Sequence, residues 1–325
     1  MPLACAHLST HAAWQAGGYF VNSFFVGTIS ESKTFVVEHR GPLDYGQYYA
    51  ARTGTGRDAS ARDGRRVLVS ATGWHNPPGW PDPPKCRTQM HLIPRDLALD
   101  SFGRLTFHPI PELTTLHIGE KPAVVVVRGG DDRGWVPSLA TPGLPSGSAL
   151  ELRLNCSGGV GGVARASANG YVGFDLLSDE SRTSFVRVAY SLSGQQLQVD
   201  HTHGGGADAG ITQTAPLQLD ASEPIEMVVL LDGALLEVFL NRRVVLSSFA
   251  THVFGKPQPA PALRSNFVLT PPNGIECVAH AWQMRRLTPV AGRVHGRGGD
   301  RSTLSRRAPH AHTRHTHMGS AFDMK

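Results

Sequence analysis

The stretch from Leu43 to Thr53, LDYGQYYAART, brings together a lone carboxylate at Asp44, a turn glycine at Gly46 and strand-forming aromatics at Tyr48 and Tyr49. An ionised carboxylate accepts hydrogen bonds from hydroxyl groups, and an aromatic ring offers a broad apolar face. Asp200, His201 and His203 supply metal-ligand types at neighbouring positions. On a strand the two histidines would share one face, because side chains repeat every second residue. No third fixed ligand accompanies them, so neither a metal nor any other cofactor is expected. Glu276-Cys277 joins an acid to a thiol inside a strand-like run, where it is not expected to act as a catalytic acid. Asn155-Cys156-Ser157 fits the N-x-S acceptor pattern of N-glycosylation, which matters only if the chain is secreted. The four cysteines, Cys5, Cys86, Cys156 and Cys277, form no CxxC pair and are expected to be small buried hydrophobes.

The elements that must hold these residues read as short strands. The 325 residues include 36 Gly and 23 Pro spread through the body, a composition suited to many strands joined by turns, so the fold class is all-β. Residues 1–17 show no periodicity. Strands are expected over Tyr19 to Gly27, Thr34 to Val37, Val67 to Ala71, Met90 to Leu99 and Leu105 to Phe107. Trp74 to Pro84 is crowded with proline, which lacks the amide donor a strand ladder needs.

Beyond a Gly-, Pro- and Asp-rich segment at 129–147, expected to be a linker, the patterns sharpen. Leu150, Leu152, Leu154 and Cys156 alternate with Glu151, Arg153 and Asn155, as in a strand with one wet face. Met227 to Leu231 and Ala234 to Leu240 flank Asp232-Gly233, a two-residue hairpin signal. With Val186 to Leu192, Val244 to Phe249 and Val278 to Met284 there are strands enough for a two-sheet sandwich.

The formal charge of +5 points at first to nucleic acid, but residues 290–325 hold seven Arg or Lys against two Asp and account for all of it. The body is neutral, and no nucleic-acid partner is expected. That tail, with His310, His312, His315 and His317, is expected to be disordered. No run approaches the roughly 18 apolar residues of a membrane helix, so no membrane partner is expected either. No signal peptide is recognisable in the first sixteen residues, which leaves the localisation unknown.

Several motifs in order carry a family resemblance. Leu43-Asp44-Tyr45-Gly46 with Tyr48-Tyr49-Ala50-Ala51-Arg52-Thr53 resembles the "DFG...YYA(S/A)xTF" segment of glycoside hydrolase family 32, the invertases, inulinases and fructosyltransferases. Arg65-Arg66-Val67-Leu68 through Trp74, then Arg87-Thr88-Gln89-Met90 and Pro94-Arg95-Asp96-Leu97, look like its "RR(I/V)LxxW...WRxxMxLPREL". Pro109-Ile110-Pro111-Glu112-Leu113 is similar to its "PVxEL". Val199-Asp200 looks like its "VDRS", and Leu231-Asp232-Gly233 with Glu237-Val238-Phe239-Leu240-Asn241 resembles "VDxSxxEVFxN". The sequence departs from the pattern at Gly54, in place of Phe, and at Cys86, in place of Trp.

The resemblance implies a five-bladed β-propeller followed by a β-sandwich, and retaining hydrolysis or transfer at a fructose unit by two carboxylates. It divides the chain into a start at 1–17, the last one or two blades at 18–128, the linker, a sandwich at 148–288 and the tail at 289–325. It places Asp44, Tyr49 and Trp74 near the propeller's funnel as substrate-binding residues, with sucrose or a fructan as partner. The family's nucleophile motif "WMNDPNG", its "RDP" and its acid-bearing "EC" all lie upstream of the segment matching Leu43 to Thr53. Only 42 residues precede that segment here, and none of these motifs is among them. The expectation is a C-terminal portion or a pseudoenzyme with no catalytic residue of its own. The alternative is a noncatalytic carbohydrate-binding or protein-interaction module, with self-association through the sandwich left open.

Overall fold

In a computed structural model, the residues described are 7–14, 20–46, 48–54, 64–72, 90–128, 149–157, 170–178, 184–203, 212–220, 222–233, 235–249, 264–269 and 276–285. They lie within one compact unit, Met1–Arg286. Trp74, the whole of the 129–147 segment and the basic tail fall outside them.

The described chain is all-β, with four sheets. β1 (His7–Trp14), β2 (Phe20–Ile29) and β3 (Phe35–Pro42) form the first, in that order. Residues 7–14 were expected to be structureless, yet β1 pairs antiparallel with β2, from His7 opposite Phe25 to Trp14 opposite Phe20. Its sequence, HLSTHAAW, lacks apolar alternation, so pairing with a strongly β-prone neighbour decides its state. β4 (Tyr49–Gly54), β5 (Arg66–Ala71), β6 (Arg95–Leu99) and β7 (Leu105–Pro109) form a four-stranded meander. The strand expected from Met90 begins only at Arg95, because Pro94 cannot donate to the ladder; upstream of it, His91 makes an isolated bridge to Ala71.

The remaining strands are β8 (Ala123–Arg128), β9 (Ala149–Ser157), β10 (Tyr171–Ser178), β11 (Val186–Ser191), β12 (Gln196–Asp200), β13 (Thr212–Pro216), β14 (Ile225–Asp232), β15 (Leu235–Leu240), β16 (Val244–Phe249), β17 (Arg264–Leu269) and β18 (Glu276–Gln283). They make a five-stranded sheet, β13-β12-β11-β10-β17, and a six-stranded sheet, β16-β15-β14-β9-β18-β8. β8, which the sequence reading put with the first part of the chain, pairs with β18 and belongs to the six-stranded sheet. In the β14–β15 hairpin Asp232 pairs with Leu235, so Asp232 belongs to its strand and the turn falls one residue later than expected, with Gly233 at φ 61°.

Two cores follow from the residue patterns. Leu152 and Leu154 of β9, Val229 of β14, Val238 of β15 and Ala279 of β18 share one core with Phe174 of β10, Val188 and Tyr190 of β11 and Leu197 of β12. The two sheets therefore face each other as a sandwich. The other face of the six-stranded sheet gives Leu230, Leu235, Phe239 and Val245 to a second core, with Leu43, Tyr48, Leu68, Leu105 and Phe107. β15 is covered on both faces, which is why LLEVFL is an almost unbroken apolar run with every residue buried. β9 is buried from Ala149 to Leu152 and then alternates, with Arg153, Asn155 and Ser157 exposed, because cover on its second face stops partway.

Candidate functional site

Asp44 lies at the seam between the four-stranded meander and the six-stranded sheet. Leu43 is tied to β2 by its amide, which donates to the Asn22 carbonyl at 2.7 Å, and the Tyr45 amide donates to the Val245 carbonyl on β16 at 2.9 Å. The next residue must be glycine, since a Cβ on Gly46 would lie 1.8 Å from the Ser247 carbonyl oxygen. This approach presses Asp44 against β16. Its Oδ1 accepts from the Gly46 amide at 2.7 Å and the Ser247 amide at 2.9 Å. Its Oδ2 accepts from the Ser247 hydroxyl at 2.7 Å and from Arg95 Nη2 at 2.7 Å. With both oxygens engaged and its side chain 0% exposed, Asp44 anchors this seam instead of standing open in a funnel.

Arg95, at the start of β6, is wholly buried and is the hub. The same Nη2 donates to Glu237 Oε2 at 2.8 Å, while Glu237 Oε1 accepts from the Ile93 amide at 2.6 Å. The guanidinium lies between two rings, 4.6 Å from the Tyr48 centroid and 5.4 Å from that of Phe239. Burial works against the Arg95 charge, but Asp44 and Glu237 outweigh it and raise its pKa. Burial likewise raises the Glu237 carboxyl above the ordinary carboxylate value, with Arg95 opposing only in part. The Tyr48 hydroxyl is pushed up to about 12, chiefly by burial. A pair of carboxylates is what glycoside hydrolysis uses. Here, however, one arginine nitrogen bridges the two, and neither side chain reaches solvent, so the arrangement fastens sheets together and admits no substrate.

The other sequence candidates fall elsewhere. Tyr49 is half-buried at the start of β4, Trp74 lies outside the described residues, and the structure does not bring Asp44 and Tyr49 into one open site. His201 and His203 do not share a face. β12 ends at Asp200, so the period-two rule stops there; His201 is buried against the Ser248 hydroxyl at 3.1 Å, and His203 is exposed and stacks on Phe185 at 4.4 Å. Among the described residues no group of three or more His, Cys, Asp or Glu is placed to hold a metal. Glu276-Cys277 sits on β18, and Cys277 is disulfide-bonded to Cys156, not a free buried thiol. The two face each other across adjacent strands, a register that their sequence separation of 121 conceals.

The motif residues converge on framework contacts. Arg65 makes a bidentate pair with Asp96 and a second with Glu112, at 2.7 to 3.2 Å, joining three motif segments at the surface. Asp200 Oδ1 accepts from the Thr202 amide and the Thr212 hydroxyl at 2.8 and 3.2 Å. Asn241, at φ 46°, locks the β15–β16 turn by donating to the Pro224 carbonyl and accepting from the Glu226 amide, each at 2.8 Å. The sequence reading missed Arg95 and Glu237 as partners of Asp44. The available signal was Glu237 itself, a single charge inside the apolar run LLEVFL, since a charge buried on both faces must find an opposite one.

These features define an all-β protein with a sandwich and a second set of sheets fastened to it. Residues 129–259 match the family model for the C-terminal part of glycosyl hydrolases family 32. Over those residues the chain is similar to the C-terminal domain of family 32, the family of the fructofuranosidases. No curated protein matches it. Solved structures share the fold. Wild-type fructosyltransferase from A. japonicus aligns with a TM-score of 0.61 at 16% identity, covering 88% of this chain and 54% of that one. Aspergillus kawachii β-fructofuranosidase complexed with glycerol gives 0.60 at 18% identity, with 88% and 54% coverage. Exo-inulinase from Aspergillus awamori gives 0.57 at 17% identity, with 82% and 50%. The chain spans about half the length of the solved structures it matches.

Proposed function

We propose that this chain is the C-terminal, noncatalytic portion of a β-fructofuranosidase-type glycoside hydrolase. In this reading the four-stranded meander is a propeller blade, β1 to β3 are part of the blade before it, and the sandwich is the clamp that holds the last blade in position. The observation that carries it is the Asp44–Arg95–Glu237 cluster, whose members lie before β4, on β6 and on β15. It spends the residues that resemble the family's motifs on fixing one body to another. The carboxylates that would cleave a fructosyl bond in sucrose or a fructan belong, by the resemblance, to the upstream motifs, and the sealed Asp44–Glu237 pair does not replace them. Tyr49 is the residue retained for contact with a sugar, since it borders the meander where Asp44 is already committed.

The test is fructose release from sucrose, inulin and levan by the purified chain. The expected rate equals that of the heat-denatured control, and turnover that survives repurification would overturn the reading. Co-expression with an in-frame upstream segment bearing an NDPNG-type motif should restore hydrolysis, and the Arg95→Ala chain should fail to do so.

A further inference from the structure

We infer that Asn155 is an acceptor for an N-linked oligosaccharide. Asn155-Cys156-Ser157 is the only N-x-S/T tripeptide in the sequence. On β9 its residues alternate in burial: Asn155 and Ser157 are exposed on one face and Cys156 points into the sandwich core. The acceptor amide and the hydroxyl that must lie beside it therefore share the open face of the strand. The central residue's bond to Cys277, on the opposite face, leaves both untouched.

The disulfide is the second, independent observation. It needs two thiols to lose two electrons and two protons to the oxidant of an oxidising compartment, and in eukaryotic cells the lumen that does this also transfers N-glycans. In the transfer the Asn155 Nδ2 displaces a lipid-linked diphosphate from the anomeric carbon of the donor sugar. A C–N bond forms, the C–O bond to diphosphate breaks, one proton leaves Nδ2, and nothing is oxidised or reduced.

The surroundings suit a glycan. Asn155 stands opposite Val278 on β18, which stands opposite Val126 on the edge strand β8. Val126 and Val124 are 51% and 55% exposed, an apolar stripe on an uncovered strand. An oligosaccharide rooted at Asn155 shields that stripe from other chains.

The experiment directs the full chain into a eukaryotic secretory pathway with an added leader and recovers it from medium and lysate alike. The peptide spanning 154–165 is analysed after amidase treatment in heavy-oxygen water. Labelled aspartate at position 155 is expected, together with a mobility shift that Asn155→Gln and Ser157→Ala abolish and Ser157→Thr retains. An unmodified Asn155 in the oxidised, folded chain, or a shift that persists in Asn155→Gln, overturns the inference.

Discussion

Arg95 is the side chain whose loss the molecule should tolerate least. Its removal leaves Asp44 and Glu237 facing each other without a countercharge, both fully buried. Breaking such a cluster from one side costs about 3–5 kcal/mol. Arg95→Ala should therefore lower the unfolding free energy by that amount, read as a lower urea midpoint at unchanged slope, and a loss below about 1 kcal/mol would show that the cluster does not fasten the sheets. Glu237→Gln is the gentler probe, because an amide oxygen can still accept from Ile93. Glu237 binds its proton more tightly folded than unfolded, since burial outweighs the pull of Arg95. Its contribution is fullest below the ordinary carboxylate value of about 4.3 and is lost as pH rises through the raised folded value. Gln does not titrate. The stability advantage of the native chain over Glu237→Gln should thus shrink as pH rises above about 4.3 in thermal melts; an advantage that grows as pH rises contradicts the assignment. Asp44 was legible as chemically special, but its purpose was not, because its partners lie 51 and 193 positions away in sequence and local pattern does not pair them.

Among the elements, β9 and β18 bear most of the arrangement's weight: they are adjacent interior strands of the six-stranded sheet, carry the Cys156–Cys277 bond and present the open face at Asn155. A non-reducing peptide map should link the peptide 154–165 to 265–285, and reduction should cost about 2–5 kcal/mol, with separate migration of the two peptides in unreduced protein refuting the bond. Gly46 sets the other critical approach. Gly46→Ala forces a Cβ into the space 1.8 Å from the Ser247 carbonyl, so β16 and the Asp44 segment must separate, at a cost of about 1–3 kcal/mol visible as a lower melting temperature. Element identity was readable where a strand's two faces differ, as in β9, or where both are covered, as in β15. It was unreadable at β1, whose state is decided by its partner, and at β8, whose run AVVVVR marks a strand without saying which sheet it joins. Pro94 and the one-residue shift at Gly233 show the limit of boundary reading: a missing donor or a single pairing moves an edge without changing the composition.

At the scale of the whole molecule, the two cores are unequal in independence. The sandwich core draws almost wholly on the five- and six-stranded sheets, so the sandwich can close on itself. The second core is shared: Leu43, Leu68, Leu105 and Phe107 from the first part of the chain meet Leu230, Phe239 and Val245 from the sandwich, and neither side completes it alone. From sequence, the sandwich was expected over residues 148–288. Pairing of β8 with β18 moves the necessary start of the folding unit back to about residue 119, because a fragment beginning at 145 leaves the β18 edge uncovered. The fragment 119–286 should therefore melt cooperatively, whereas 145–286 should melt lower or aggregate. Even the longer fragment carries Phe239, Val245 and Glu237 on an open face, so it should melt below the full chain, and its stability should lack the pH dependence that burial of Glu237 gives the full chain. Equal melting temperatures for the fragment and the full chain would mean that the seam contributes nothing, and the clamp reading would have to be abandoned with it.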